Sequence, residues 1–206
     1  DLETGVLRAE GGASLDAILQ LIVPHGWFLP TTPGSRFVTL AGAVANDVHG
    51  KNHHRAGSLG RHVRTIGLLR SEGGLAELSP DQSPELFFAT LGGLGLTGFI
   101  EWVELQLVRA PSGFLDQEAV GFSGLDGYFD LVNDSNARFE HVAAWIDCSA
   151  SGGALGRGVM FRANWSAEGG LVPHGRRQTL RAPLDAPSFL LNRLSITEFT
   201  ALTYGL

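Results

Sequence analysis

Apolar and polar positions alternate over residues 5–10, the signature of a strand. The period then changes. Leu15, Ile18, Leu19 and Ile22 recur at i, i+3, i+4 and i+7, one stripe of an amphipathic helix. Ser14 stands where an N-cap belongs, and Asp16 falls in the first turn, against the positive helix end. Pro24 and Gly26 stop the helix. A short apolar run, Trp27, Phe28 and Leu29, leads into a turn between Pro30 and Pro33. Residues 34–60 are different: small side chains, three histidines and one lysine, with little amphipathic period. The pattern clears again at residues 62–70 and 75–78. These flank Ser71-Glu72-Gly73-Gly74 and predict a β-hairpin. Asp81 or Ser83 caps a short helix with Pro84 in its first turn. After a glycine-rich loop at 92–98, residues 99–108 alternate as one long strand. Ile100, Trp102, Glu104 and Gln106 share one face. Phe99, Glu101, Val103, Leu105 and Leu107 share the other, which is mostly apolar.

Ala110-Pro111-Ser112-Gly113 reads as a domain boundary. Beyond it, residues 117–122, 139–147 and 156–165 read as strands, and 125–132 as a helix. Residues 166–187, rich in Gly, Pro and Arg, read as loop, and 189–204 as partly helical. The start at Asp1, with a strand directly after it, and the end at Leu206 both read as cuts from a longer chain.

Composition narrows the function. The 206 residues are 44% hydrophobic and 17% charged, enough for one large core or two small ones. A net charge of −6 without basic runs argues against a nucleic-acid surface. No apolar run approaches the ~20 residues of a membrane span. A single cysteine, Cys148, excludes an internal disulfide and fits a reducing, cytoplasmic setting. It reads as a small buried hydrophobe. Trp102, Trp145 and Trp165 sit in strand patterns and read as core.

Three constellations carry possible chemistry. Gly93-Leu94-Gly95-Leu96-Thr97-Gly98 matches the dinucleotide string G-x-G-x-x-G. A Rossmann site needs that string after a strand and before a helix, and here the order is reversed. The string reads instead as a helix-to-strand turn, or as a loop bringing backbone close to a ligand. His49, His53 and His54, with Asp47 nearby, invite a metal. Adjacent histidines rarely aim at one ion and the flanking glycines argue for loop, so no metal is expected. The same stretch is open to two other readings. One is a polar turn. The other is a polyphosphate or flavin cradle, in which Gly42 and Gly50 offer bare backbone N–H groups and Lys51 a positive charge. Ser58, His62 and Asp47 lack the sequence setting of a nucleophile elbow.

Residues 33–54 together with Ala56-Gly57-Ser58-Leu59-Gly60 resemble the FAD-binding segment of the decaprenylphosphoryl-ribose 2-oxidases, a branch of the vanillyl-alcohol-oxidase family. A second block, Glu85-Leu86-Phe87-Phe88-Ala89-Thr90 through Gly98, is similar to the same family. A weaker third comprises Ala144-Trp145-Ile146-Asp147 with Leu155-Gly156-Arg157. The resemblance implies an α+β fold. Residues 1–110 would be an FAD-binding domain of PCMH type, represented by its second subdomain. Residues 111–206 would begin an α+β substrate domain. It also implies cofactor contacts at Gly34, Thr39, Leu40, Ala41, Gly42, His49, Gly50, Lys51, Asn52 and Ile100. Ile100 would lie on the adenine side. Lys51 would lie near the flavin ring, its charge favouring the reduced, anionic form. Trp145 and Lys51 would face the substrate. In this family the pyrophosphate loop lies before the position of Asp1 and further substrate-pocket residues after Leu206. This chain alone is therefore expected to hold FAD weakly or not at all, and to turn over no sugar alcohol. The implied activity is oxidation of a secondary alcohol on a sugar or polyprenyl-sugar, with a peripheral membrane association open for the parent protein. An aldonolactone or alditol oxidase of the same fold, or a flavin-free folded remnant, are the alternatives.

Overall fold

In a computed structural model, residues 1–175 and Asn192 are described. They form two compact units: Asp1–Leu115 with Trp165–His174, and Asp116–Asn164. The helix expected at 189–204 lies outside the described residues.

The first unit is built on a four-stranded antiparallel sheet in the order β1-β5-β3-β4. Its strands are β1 (Val6–Glu10), β3 (Val63–Arg70), β4 (Gly74–Leu78) and β5 (Phe99–Gln106), with a two-stranded ribbon of β2 (Trp27–Phe28) and β6 (Val108–Arg109). Helix α1 (Leu15–Ile22) forms where the period predicts it. The Ser14 hydroxyl accepts from the Ala17 N–H at 3.1 Å, and Gly26, left-handed at φ 74°, ends the following turn of 3₁₀-helix. Leu15, Ile18 and Ile22 are buried against Leu40, Val44, Leu59, Ile66, Leu68, Phe87, Val103 and Leu105 in one core.

Helix α4 (Pro84–Thr90) precedes the glycine loop and β5 follows it, so no helix starts at Gly98. This is the reverse of a Rossmann turn. Two further short helices, α2 (Leu40–Ala45) and α3 (His53–Ala56), lie in the stretch where no period is evident.

The alternation along β5 is broken. Gly67 pairs with Trp102 but Leu68 pairs with Ile100, leaving Glu101 as a bulge. Its carbonyl accepts from the Gly11 N–H at 2.7 Å. The extra residue flips the parity of the strand. Ile100 is therefore buried on the same side as Val103 and Leu105, while Phe99 is turned out to solvent. The two uniform faces expected for 99–108 are corrected accordingly.

The second unit pairs β7 (Leu115–Phe122), β9 (Gly158–Trp165) and β8 (His141–Ile146) in that order, with helix α5 (Gly124–Arg138). Asp147 is buried at the β8–β9 connection. It accepts from the Ser149 hydroxyl and N–H and from Arg157 Nε and Nη2 at 2.7–3.0 Å. That knot turns residue 148 outward. Cys148 is exposed, not the buried hydrophobe its type suggests. Architecture and composition of elements make this an α+β chain.

Candidate functional site

The residues of interest in the first unit are positioned by the start of α1. The Leu15 N–H donates to Val38 O and the Asp16 N–H to Arg36 O, at 3.0 and 2.7 Å. The buried Asp16 carboxylate pairs with Arg36 Nε at 3.0 Å. Residues 36–38 are therefore laid beside the helix N-terminus, and the Pro33-Gly34 turn is fixed just before them. The chain then enters α2 through Thr39, whose hydroxyl accepts from the Gly42 N–H at 3.2 Å. Leu40, Ala43 and Val44 bury the inner side of this helix, and the Ala41 N–H donates to Gly11 O at 2.9 Å.

After α2 the chain reverses at Asp47, which adopts φ 41° and accepts from the Gly60 N–H at 2.7 Å. His62 Nε2 contacts Ala56 O at 2.9 Å. Asp47 and His62 are thus committed to backbone and form no relay with Ser58. His49 bridges to Ser58, and the Leu59 N–H donates to Val48 O. On the other edge of the segment, Asn52 Nδ2 donates to Pro30 O at 2.8 Å. The rings of His49 and His53 lie 5.7 Å apart and those of His53 and His54 6.1 Å, edge to face at 69° and 89°. Among the described residues, no group of three or more His, Cys, Asp or Glu is placed to hold a metal ion.

The segment from His49 to Asn52 is thereby laid against Pro30, Thr31 and Thr32, the residues just before the Pro33-Gly34 turn. Ala41 and Ile100 meet at Gly11: a Cβ there would stand 2.9 Å from the Ala41 methyl and 2.2 Å from Ile100 O. Gly34, Thr39, His49 and Lys51 are exposed, Ala41 and Gly42 half-buried. Leu40 and Ile100 are buried in the core, so their side chains reach no ligand, and the Leu40 N–H is already given to Ala13 O at 2.8 Å. Trp145 lies half-buried on β8, in the second unit. Beside the Pro33-Gly34 turn is a cleft of about 450 Å³, lined by Leu19, Val23, Phe28, Phe37, Pro173 and His174 among others.

Residues 1–79 match the family described as FAD binding domain. The decaprenylphosphoryl-beta-D-ribose oxidase of Mycolicibacterium smegmatis is 34% identical over 192 residues, covering 92% of this chain and 41% of that protein. Residues 1–79 are thus those of an FAD-binding domain. A Streptomyces coelicolor protein known only as an uncharacterised product of the mprA 5′ region is 36% identical over 188 residues, 88% of this chain and 51% of its own length. The rat Delta(24)-sterol reductase is 25% identical over 162 residues, 78% of this chain and 31% of its own. The chain thus spans about half, or less, of the curated relatives it matches. The matched domain indicates FAD as the cofactor.

The residues present fit that group. Positions 34, 39–42 and 49–52 hold no carboxylate, as suits an anionic cofactor. No described residue pairs with the Lys51 ammonium, which is exposed. Gly34 has no positive φ, and a Cβ on it would meet nothing within 4 Å. Protein packing gives no reason for glycine there, whereas close approach of a ligand does. Sequence reasoning misses Gly11 and Thr31. A Gly-Gly pair directly after β1 is the only signal for the first, and nothing in the sequence marks the second.

Proposed function

We propose that this FAD-binding oxidoreductase oxidises a secondary alcohol of a sugar or polyprenyl-linked sugar. The observation that carries the reading is the 34% identity, through 92% of the chain, to a protein named for oxidation of decaprenylphosphoryl-ribose. Bound FAD supplies the hydride acceptor, and the organic chemistry is the cofactor's. The protein's part is to bind and orient. In this reading the first unit is the FAD-binding part and the second the beginning of the substrate domain. Gly34 gives the cofactor close access to backbone. Thr39, through its cap on α2, holds Ala41 and Gly42 at the surface. Leu40 and Ile100 serve by anchoring that backbone in the core. His49, Gly50 and Asn52 carry Lys51, whose ammonium counters negative charge on the cofactor and faces the substrate; in the second unit, Trp145 is the residue assigned to the substrate. No helix among the described residues is long and apolar enough to cross a membrane.

The test is anaerobic reduction of the FAD-loaded protein, followed by loss of flavin absorbance near ~450 nm. A polyprenylphosphoryl sugar should bleach the flavin, with the corresponding keto-sugar as product. Bleaching by free alditols or aldonolactones, and not by the lipid-linked sugar, would replace this reading with that of a soluble-sugar oxidase. A full-length parent protein that takes up no FAD would refute it.

A further inference from the structure

Gly50 differs from Gly34 in what its missing side chain faces. Its φ is not positive, so backbone conformation does not demand glycine. Space does. A Cβ at this position would stand 2.6 Å from Thr31 Oγ1, 2.7 Å from Thr32 O and 3.0 Å from Thr32 N. Two of these are backbone atoms that cannot swing aside. The bare side of Gly50 therefore faces a wall of protein, with Thr31 itself only 2% exposed. With Asn52 tied to Pro30 on one edge and His49 bridged to Ser58 on the other, the segment is clamped between two walls. Lys51 is its exposed, cationic member.

We propose that Thr31 is a positioning residue: its side chain, packed on the bare Cα of Gly50, fixes the segment that presents Lys51 to the cofactor. This rests on the assignment of Lys51 made above. A lysine carries its charge on a long flexible stem, so the anchoring of its Cα decides where the charge is held. Thr31 acts by volume. Its hydroxyl is buried and has no hydrogen-bond partner among the described residues. Valine has the same shape without the hydroxyl and should serve as well, whereas alanine removes the side-chain part of the wall and leaves only the Thr32 backbone.

The experiment measures FAD dissociation constant and flavin midpoint potential in the holoenzyme for Thr31→Val, Thr31→Ala, Lys51→Met and the double variant Thr31→Ala/Lys51→Met. Lys51→Met should weaken FAD binding about tenfold or more, the loss of one charge-assisted contact, and shift the midpoint potential to more negative values. Thr31→Val should stay within about twofold of the parent, and Thr31→Ala should lose several-fold in affinity and move the potential in the same direction as Lys51→Met. In the Lys51→Met background, Thr31→Ala should add nothing. Equal damage from Thr31→Val and Thr31→Ala would overturn the inference, because the hydroxyl and not the wall would then matter. So would a full Thr31→Ala effect in the absence of Lys51. A Lys51→Met variant with unchanged affinity and potential would instead remove the assignment of Lys51, and the inference with it.

Discussion

Replacing Arg36 by methionine should cost stability out of proportion to the half-exposed position of the side chain. Its Nε lies 3.0 Å from Asp16 Oδ1, with the Asp16 side chain 4% exposed and that of Arg36 26% exposed. Exposed ion pairs contribute about 0–1 kcal/mol. Breaking a fully buried pair by removing one partner costs about 3–5 kcal/mol, because a desolvated charge loses its compensation. Here the anion is buried, the cation partly wet, and the α1 N-terminus supplies some compensation of its own. An intermediate loss of about 2–3 kcal/mol follows from those bounds. The Arg36 Nη1 bond to His174 O, 3.2 Å long, is lost as well. At roughly 3–4 °C per kcal/mol for a unit of this size, the melting temperature should fall by about 6–12 °C. Thermal unfolding by circular dichroism measures it. The double variant Asp16→Asn/Arg36→Met should recover at least half of the loss, since no buried charge then remains to be compensated. A single variant that melts within about 2 °C of the parent, well inside the range of an ordinary surface pair, would refute the argument. So would a double variant no better than the single. Because residues 36–38 are laid on α1 by this corner, FAD affinity should fall together with stability.

Other consequences are open to measurement. Asp147 is held well below the ordinary carboxylate value of 3.8, at about 2, by the Ser149 hydroxyl first and by Arg157, against the opposing effect of burial. A carboxyl depressed on folding contributes stability above its unfolded value and loses it as pH falls toward the folded one. The parent should therefore lose stability between about pH 4 and pH 2 more steeply than Asp147→Asn, and identical acid profiles would contradict this. Leu94 holds φ 54° while 69% exposed, a conformation that disfavours a β-carbon and brings no burial in return. Leu94→Asn should stabilise by about 0.5–1 kcal/mol in urea unfolding, and a clear loss would mean that the leucine is packed in solution. Leu105 is fully buried on β5 between partners on β1 and β3. Leu105→Ala should cost about 2–5 kcal/mol by the same assay, and a cost below 1 would place the core elsewhere.

The parts of the fold legible in the sequence are those decided by local chemistry. A capping serine, an i, i+3, i+4 stripe and a closing proline and glycine specify α1 within a single turn's uncertainty. The glycine pair between two alternating runs does the same for the β3–β4 hairpin. Helix α2 escapes this logic. Its buried face is Leu40, Ala43 and Val44, and small residues with a glycine among them leave too faint a period to distinguish helix from loop. The facing of β5 escapes it for another reason. The bulge at Glu101 exists because Gly11 and β3 meet the strand there, and contacts between residues some 90 positions apart leave no local trace. Cys148 is turned out by Asp147, Ser149 and Arg157 acting together, again a three-dimensional cause.

The same division runs through the candidate site and gives it its physical meaning. Read along the chain, Gly34 and Gly50 are equivalent: both are bare backbone in a stretch that resembles a flavin cradle. In space they are opposites. At Gly34 a side chain would project into open solvent, so the protein gains nothing internally from its absence. At Gly50 a side chain would drive into Thr31 and Thr32, so its absence is a condition of packing. One glycine leaves room for a ligand; the other leaves room for the wall that holds the ligand's neighbour. It follows that Gly34→Ala and Gly50→Ala should fail differently. Gly34→Ala should leave the flavin-free protein at the parent's melting temperature and weaken FAD binding. Gly50→Ala should lower the melting temperature of the flavin-free protein itself, because its clash exists without any ligand. Melting curves of both apoproteins decide it. If Gly34→Ala also destabilises the flavin-free protein, its glycine serves the fold, and the assignment of that turn to the cofactor loses its structural support.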